Sequence, residues 1–274
     1  MSATTDTRPL SRERPVSRQS RDRALPWDLI SVLLILGAAL GGWELLVHLR
    51  EIPVYILPAP SVVLRALLAN PAPYLEAALV TAGEALAGLA LGLAVGIATA
   101  ILITYWVRLE RGVLALAILV KATPMVAIAP LLVIWFGFGP LPKVILTAIL
   151  TFFPVLINVH SGLTSVDEAL LALFHSLSAS RWELFRYARW PSAAPYLFAA
   201  LKVVAPLSLV GAVVAEWAGA SAGLGRTMWL AYTNLNMPAL FAAVFCLATM
   251  GVALYLSVLA VESKVLFWTR RAVK

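Results

Sequence analysis

Long apolar runs alternate with short polar ones along the whole chain, and most of the runs are of bilayer-crossing length. About 20 consecutive apolar residues in a helix cross the hydrocarbon core. Residues 29–48 predict a first span and 77–105 a second. After a short polar turn at Arg108, Glu110 and Arg111, a third runs to about Phe138, interrupted by Pro124 and Pro130. Residues 143–159, 191–217 and 237–259 complete a set of six. The pattern predicts an all-α, polytopic helical membrane protein.

The connections are polar or rich in helix breakers. Pro53, Pro58, Pro60, Pro71 and Pro73 fall between the first two spans, leaving room for one short helix near 61–68. Gly137, Gly139, Pro140 and Pro142 predict a tight turn before the fourth span. A Gly/Ser loop is expected at 219–225. Within the second span, Gly88, Gly92 and Gly96 recur every four residues, a spacing that lets a second helix approach closely. The chain divides into a disordered, Arg-rich cytoplasmic tail at 1–26, a transmembrane domain at 27–265 and a cytoplasmic tail at 266–274. No small-residue cleavage site follows the first apolar run, so that span is read as uncleaved.

Composition agrees with this picture and narrows it. Of the 274 residues, 61% are hydrophobic and 13% charged, against roughly 45–50% and 25% in soluble domains. The net charge of +7 does not form a basic face for nucleic acid; the charges sit at the ends of apolar runs. With the N-terminus inside, fifteen Lys and Arg residues fall in cytoplasmic segments and four (Arg50, Arg65, Lys143, Arg226) in outer ones. The excess sets an N-in, C-in topology. One cysteine, Cys246, and three scattered histidines, His48, His160 and His175, exclude a disulfide framework and a Cys/His zinc site.

The longest inner connection, 161–190, carries the most information. Leu170, Leu173, Phe174 and Leu177 recur at helical spacing and predict one apolar face, with Asp167 and Glu168 at the positive end of that helix. A second short helix over 181–189 aligns Trp182, Phe185 and Arg189, and Pro191 suits the first turn of the next span.

From Val166-Asp167 through Ser176-Leu177-Ser178-Ala179-Ser180-Arg181-Trp182-Glu183-Leu184-Phe185-Arg186 to Trp190-Pro191-Ser192-Ala193-Ala194-Pro195, this segment resembles the cytoplasmic coupling loop of ABC importer permeases. Three more stretches resemble the branch importing nitrate, sulfonates, taurine, bicarbonate and pyrimidine-type vitamin precursors. They are Leu57-Pro58-Ala59-Pro60-Ser61, then Pro124 to Leu131 with Trp135 to Gly139, then Ala215-Glu216-Trp217 with Gly223-Leu224-Gly225. The resemblance covers about residues 29–265 in order. It implies the type I ABC importer permease fold, a multi-pass location in the bacterial cytoplasmic (inner) membrane, and no enzymatic activity of the chain's own. It further implies two ATP-binding subunits, a second permease copy (a homodimer), and an extracytoplasmic solute-binding protein. ATP would be bound by the partner ATPase, leaving this chain without a cofactor; no Gly-x-x-x-x-Gly-Lys-Ser/Thr loop occurs in it.

By resemblance, Ala172, Phe174, Leu177, Ser178, Arg181, Trp182, Phe185 and Pro191 are the ATPase-coupling residues. The sequence departs from the family pattern there. The family places Glu-Ala-Ala six residues before a glycine, where this chain has Ala172-Leu173-Phe174 and Ser178.

Charges at bilayer depth are costly and by default point to function. Glu84 in the second span, and Glu216 and Trp217 at the outer end of the fifth, are the translocation-pathway candidates. Glu44 is expected to snorkel or meet Arg50. Lys121 and Lys202 are expected to snorkel or to attract anions, and Thr151, Asn158 and Ser208 to bond between helices. The rival reading is a stand-alone secondary transporter or channel using Glu84 and Glu216 as ion sites.

Overall fold

The computed structural model describes residues 26–267. The segments 1–25 and 268–274, read above as cytoplasmic tails, lie outside the described residues. Among the described residues the chain is helical throughout its ordered elements: α1 Pro26–Leu49, α2 Pro60–Ala69, α3 Ala72–Tyr105, α4 Val107–Ala122, α5 Met125–Phe136 and α6 Leu141–Thr164. Then follow α7 Glu168–Ser176, α8 Arg181–Leu184, a π-helical turn Phe185–Arg189, α9 Trp190–Ala218, α10 Leu224–Thr233 and α11 Met237–Val265.

Among the described residues, five helices are long and apolar enough to cross a membrane, and the predicted third span is a bent pair. Between α4 and α5 the axis turns by 92°. Pro124 is the cause: a residue before proline is driven out of the helical region, and Thr123 is extended at φ −74°, ψ 130°. Pro130, by contrast, is accommodated inside α5.

The predicted connection helix exists as α2, and its anchor was not foreseen. The Glu44 carboxylate accepts from the Ser61 backbone N–H at 3.0 Å and from the Ser61 hydroxyl at 2.7 Å. Glu44 therefore caps α2, where an anion is favoured, and does not pair with Arg50. Trp43 of α1 meets Phe241 and Phe245 of α11, with ring centroids 5.6 and 6.1 Å apart. Much of the rest of α1 is exposed, with Leu34 67% and Ile35 71% accessible, as for a helix whose outer surface meets lipid.

The core is formed by α3, α6 and α9. Glycines of α3 run along a stripe of α6 in register: Gly88 against Thr147, Gly92 against Thr151 and Gly96 against Val155. A Cβ on Gly92 would stand 2.8 Å from the Ala148 carbonyl oxygen, and one on Gly96 2.8 Å from Val155 Cγ1. Gly211 of α9 faces the other side of Thr147, whose Oγ1 would be 3.0 Å from an added Cβ. Small residues let backbones pack closely where lipid supplies no hydrophobic drive between helices.

Three polar residues expected to bridge helices bond along their own. Thr151 donates to the Thr147 carbonyl at 2.9 Å, Asn158 to Pro154 at 2.8 Å and Ser208 to Ala205 at 2.7 Å. Lys202 is paired with Glu262 of α11 at 2.9 Å, so its ammonium does not stand free for anions. Lys121 sits over the Phe153 ring at 4.8 Å.

Candidate functional site

Two regions collect the predicted residues, one at each end of the core. At the end assigned as outer by the charge distribution, α3, α6, α9 and the start of α10 meet around carboxyl groups. Glu216, on the last turn of α9, is 1% exposed. The Thr81 hydroxyl donates to Glu216 Oε1 at 2.6 Å and accepts from the Leu224 N–H at 2.8 Å. The Gly225 N–H donates to Glu216 Oε2. An acid at the N-terminus of α10 satisfies donors that the helix leaves unpaired.

The Gly223-Leu224-Gly225 motif acquires a physical meaning here. Gly223 holds φ +108°, and a Cβ on it would collide with the Glu216 carboxyl group; one on Gly225 would lie 2.7 Å from Glu216 Oε2. Only glycine leaves the acid room to reach the backbone.

Glu84 stands one turn before Gly88 on the glycine face of α3 and is 9% exposed. Its carboxyl group lies beside that of Glu216, and its buried Oε2 has no other hydrogen-bond partner. Opposite it, Lys143 of α6 continues the stripe of Thr147 and Thr151 and is 1% exposed. The Lys143 ammonium donates to the carbonyls of Phe138 and Gly139 at 2.7 and 2.8 Å. The charge count places Lys143 in an outer connection; the structure makes it a buried helix residue. Its four-residue spacing from Thr147 and Thr151 is the signal that points to it. A cavity of about 550 Å³ opens beside this group, lined by Glu84, Lys143, Gly83, Phe138, Gly139 and Ser221 among others. Glu216 does not line it. Trp217 points elsewhere, 44% exposed, its ring 5.9 Å from Trp229.

At the inner end, the connection 161–190 folds into α7, α8 and the π turn. Asp167 caps α7 by accepting from the Ala169 N–H at 2.9 Å. Ser180 and Glu183 form a capping box on α8: the Glu183 N–H donates to Ser180 Oγ at 3.2 Å, and the Ser180 hydroxyl and N–H each donate to Glu183 Oε2 at 2.7 Å. The hydroxyl first, and then the backbone N–H, hold the Glu183 carboxyl below the usual carboxylate range.

Ser178 joins the two helices at φ +53°. Its N–H donates to the His175 carbonyl and the Ala179 N–H to that of Phe174, both at 3.0 Å. Serine thus takes the left-handed geometry that glycine adopts without cost. Ala172, Leu177, Ser178, Arg181 and Trp182 are exposed, Leu177 at 70% and Trp182 at 63%, while Phe174, Phe185 and Pro191 are half-buried.

Phe185 turns toward the bundle, its ring 5.7 Å from Trp182, 6.0 Å from Trp190 and 6.4 Å from Tyr105. Tyr105, at the end of α3, went unnoticed in the sequence. Its hydroxyl reaches the Arg181 carbonyl at 3.5 Å, and the Arg189 guanidinium lies 5.7 Å over its ring. Nearby, His160 of α6 bonds Glu110 of α4 at 3.1 Å and Thr104 of α3 at 3.2 Å.

Comparison with known proteins adds to this geometry. Residues 88–267 match the family described as binding-protein-dependent transport system inner membrane component. A probable ABC transporter permease protein of Haemophilus influenzae is 33% identical over 84% of this chain and 94% of its own length. The formylaminopyrimidine transport permease protein ThiX of Halalkalibacterium halodurans is 32% identical over 84% of this chain and 92% of its own. In three dimensions the chain is similar to one in an inward-facing structure of the MetNI methionine ABC transporter. The TM-score is 0.58 at 18% identity, over 74% of this chain and 94% of that one.

Proposed function

The chain belongs to the family of inner membrane components of binding-protein-dependent transport systems, as a multi-pass ABC importer permease of the type I fold; from that premise we propose its place in the transport cycle. It provides the translocation path for a small solute and docks a separate ATPase through α7 and α8. The cargo is a nitrate-, sulfonate- or taurine-type anion or a pyrimidine-type vitamin precursor. An extracytoplasmic binding protein delivers it, and a second copy of the permease completes the path. The chain itself catalyses no reaction and holds no cofactor; ATP belongs to the partner subunits.

The observation that carries this reading is the inner surface. Leu173, Leu177 and Trp182 are large apolar side chains left exposed on short helices whose ends are fixed by caps and by the left-handed turn at Ser178. Such a surface fits an apolar groove on a soluble partner. Movement of α7 and α8 would reach the spans through Phe185 and Tyr105, which touch α8 and α3 at once. At the outer end, Glu84, Glu216 and Trp217 are assigned to the pathway and its gate, Glu216 by fixing α10 and Glu84 by facing the cavity.

The test is affinity purification from the native membrane with mass spectrometry of what accompanies the protein. A stoichiometric subunit with a nucleotide-binding phosphate loop is expected. Recovery of the protein alone, together with solute movement in liposomes without ATP, would overturn the proposal.

A further inference from the structure

At the inner end, the break between α3 and α4 opens a cleft that lies apart from both the outer cavity and the exposed face of α7 and α8. Tyr105, Trp106, Val107, Arg108 and Leu109 line it, around a volume of about 610 Å³. Its apolar side chains are turned outward: Trp106 is 61% exposed, and Val107 and Leu109 are exposed as well. Helix α3 and the bent pair α4–α5 both run from here into the bilayer. The cleft therefore stands at the level of the inner headgroups, where indole rings are favoured.

Positive charge collects at the same place. Arg108 and Arg111, three residues apart, are neighbours on one face of α4, while Val113, Leu114 and Ala117 pack another face into the core. Both arginines are exposed, and among the described residues neither is paired with an acid. The acids of this end are engaged elsewhere. Glu110, between the two arginines in sequence, turns to His160 of α6 at 3.1 Å, and Glu183 closes the capping box with Ser180. Arg189 adds a third cation, its guanidinium lying 5.7 Å over the ring of Tyr105 in the cleft wall. A soluble anion has no use for the exposed apolar wall, and a neutral lipid has none for the arginines. A ligand that combines a phosphate with acyl chains matches both.

We propose that this cleft binds the phosphate of an anionic phospholipid of the inner leaflet, held by Arg108 and Arg111, with its acyl chains along Trp106 and Leu109. The proposal requires only that α3 and α4 end at the inner membrane surface, and it is independent of the cargo.

Native mass spectrometry of the full-length protein, released from detergent micelles holding equal phosphatidylglycerol and phosphatidylcholine, tests it. Two arginines near a membrane surface predict a preference for the phosphatidylglycerol adduct of about thirtyfold. Arg108→Gln with Arg111→Gln should remove most of that preference at an unchanged unfolding midpoint. Arg50→Gln with Arg65→Gln, at the outer end, should keep it, and inorganic phosphate in millimolar excess should leave the adduct in place. Displacement by inorganic phosphate would identify a soluble-anion site and overturn the proposal. A wild-type ratio in the inner double variant, or an equal loss in the outer one, would overturn it too. So would loss of the adduct from protein recovered with a bound ATPase subunit, which would make the cleft a protein contact.

Discussion

The Thr81 hydroxyl donates to the Glu216 carboxylate at 2.6 Å while accepting from the Leu224 N–H at 2.8 Å, so one side chain of α3 ties the end of α9 to the beginning of α10. All three groups are buried, and removing the hydroxyl leaves an acceptor and a donor unmet. Thr81→Val should therefore destabilise the protein by about 1–3 kcal/mol. Thermal unfolding in detergent would read this as a clear drop in midpoint. Thr81→Ser should stay near the wild type, and a wild-type midpoint for Thr81→Val would show the linkage to be idle.

The contact of α3 with α6 gives a second expectation. Gly92→Ala places a methyl group 2.8 Å from the Ala148 carbonyl oxygen and against Thr151, so the helices must separate, at a cost of about 1–3 kcal/mol. Gly83→Ala, on the same helix, adds a methyl group with nothing within 4 Å and should be tolerated. Equal midpoints for the two variants would contradict the assigned register.

The glycine face of α3 and the two acids themselves were legible in the sequence, and the partners of the acids were not. A four-residue spacing of glycines within an apolar run already names the face of a helix that a neighbour approaches. Extending the same spacing backward reaches Glu84, and on α6 the spacing of Thr147 and Thr151 reaches Lys143. Nothing local announces that Glu216 meets Thr81, 135 residues away, or that its other oxygen is held by a backbone N–H. Glu44 with Ser61 and Lys202 with Glu262 share this property. Their partners are set by which helices pack together, and that is fixed by the whole core. Helix α10 was missed because ten residues are too few for a span and its polar start reads as loop.

Ser178 gives a third prediction. A non-glycine residue at φ +53° carries about 1 kcal/mol of backbone cost that glycine avoids. Ser178→Gly should raise the midpoint or leave it unchanged, with recovery of the ATPase subunit at least equal to wild type. Ser178→Val, β-branched in the same geometry, should lower both. If Ser178→Gly weakened ATPase recovery as Ser178→Val does, the serine side chain itself would be making the contact.

The capping box on α8 adds a pH dependence. Ser180's hydroxyl and N–H lower the pKa of Glu183 in the fold. A depressed carboxyl contributes its stabilisation above its unfolded pKa and loses it as pH falls through the folded one. Amide protection around residues 180–184, relative to the unfolded exchange rate at each pH, should be high near neutrality and fall below the ordinary carboxylate range. Glu183→Gln should flatten that profile, and a variant with the wild-type profile would assign the transition to another group.

The proposed joining of the spans to an ATP-binding subunit through α7 and α8 can be read in one co-purification. The double variant Phe174→Ala with Arg181→Glu alters the coupling surface while leaving the α3–α6–α9 core untouched. Membrane insertion and the unfolding midpoint should match the wild type, and the co-purifying ATPase should fall to background. An ATPase recovered at the wild-type ratio would contradict the assignment of this surface.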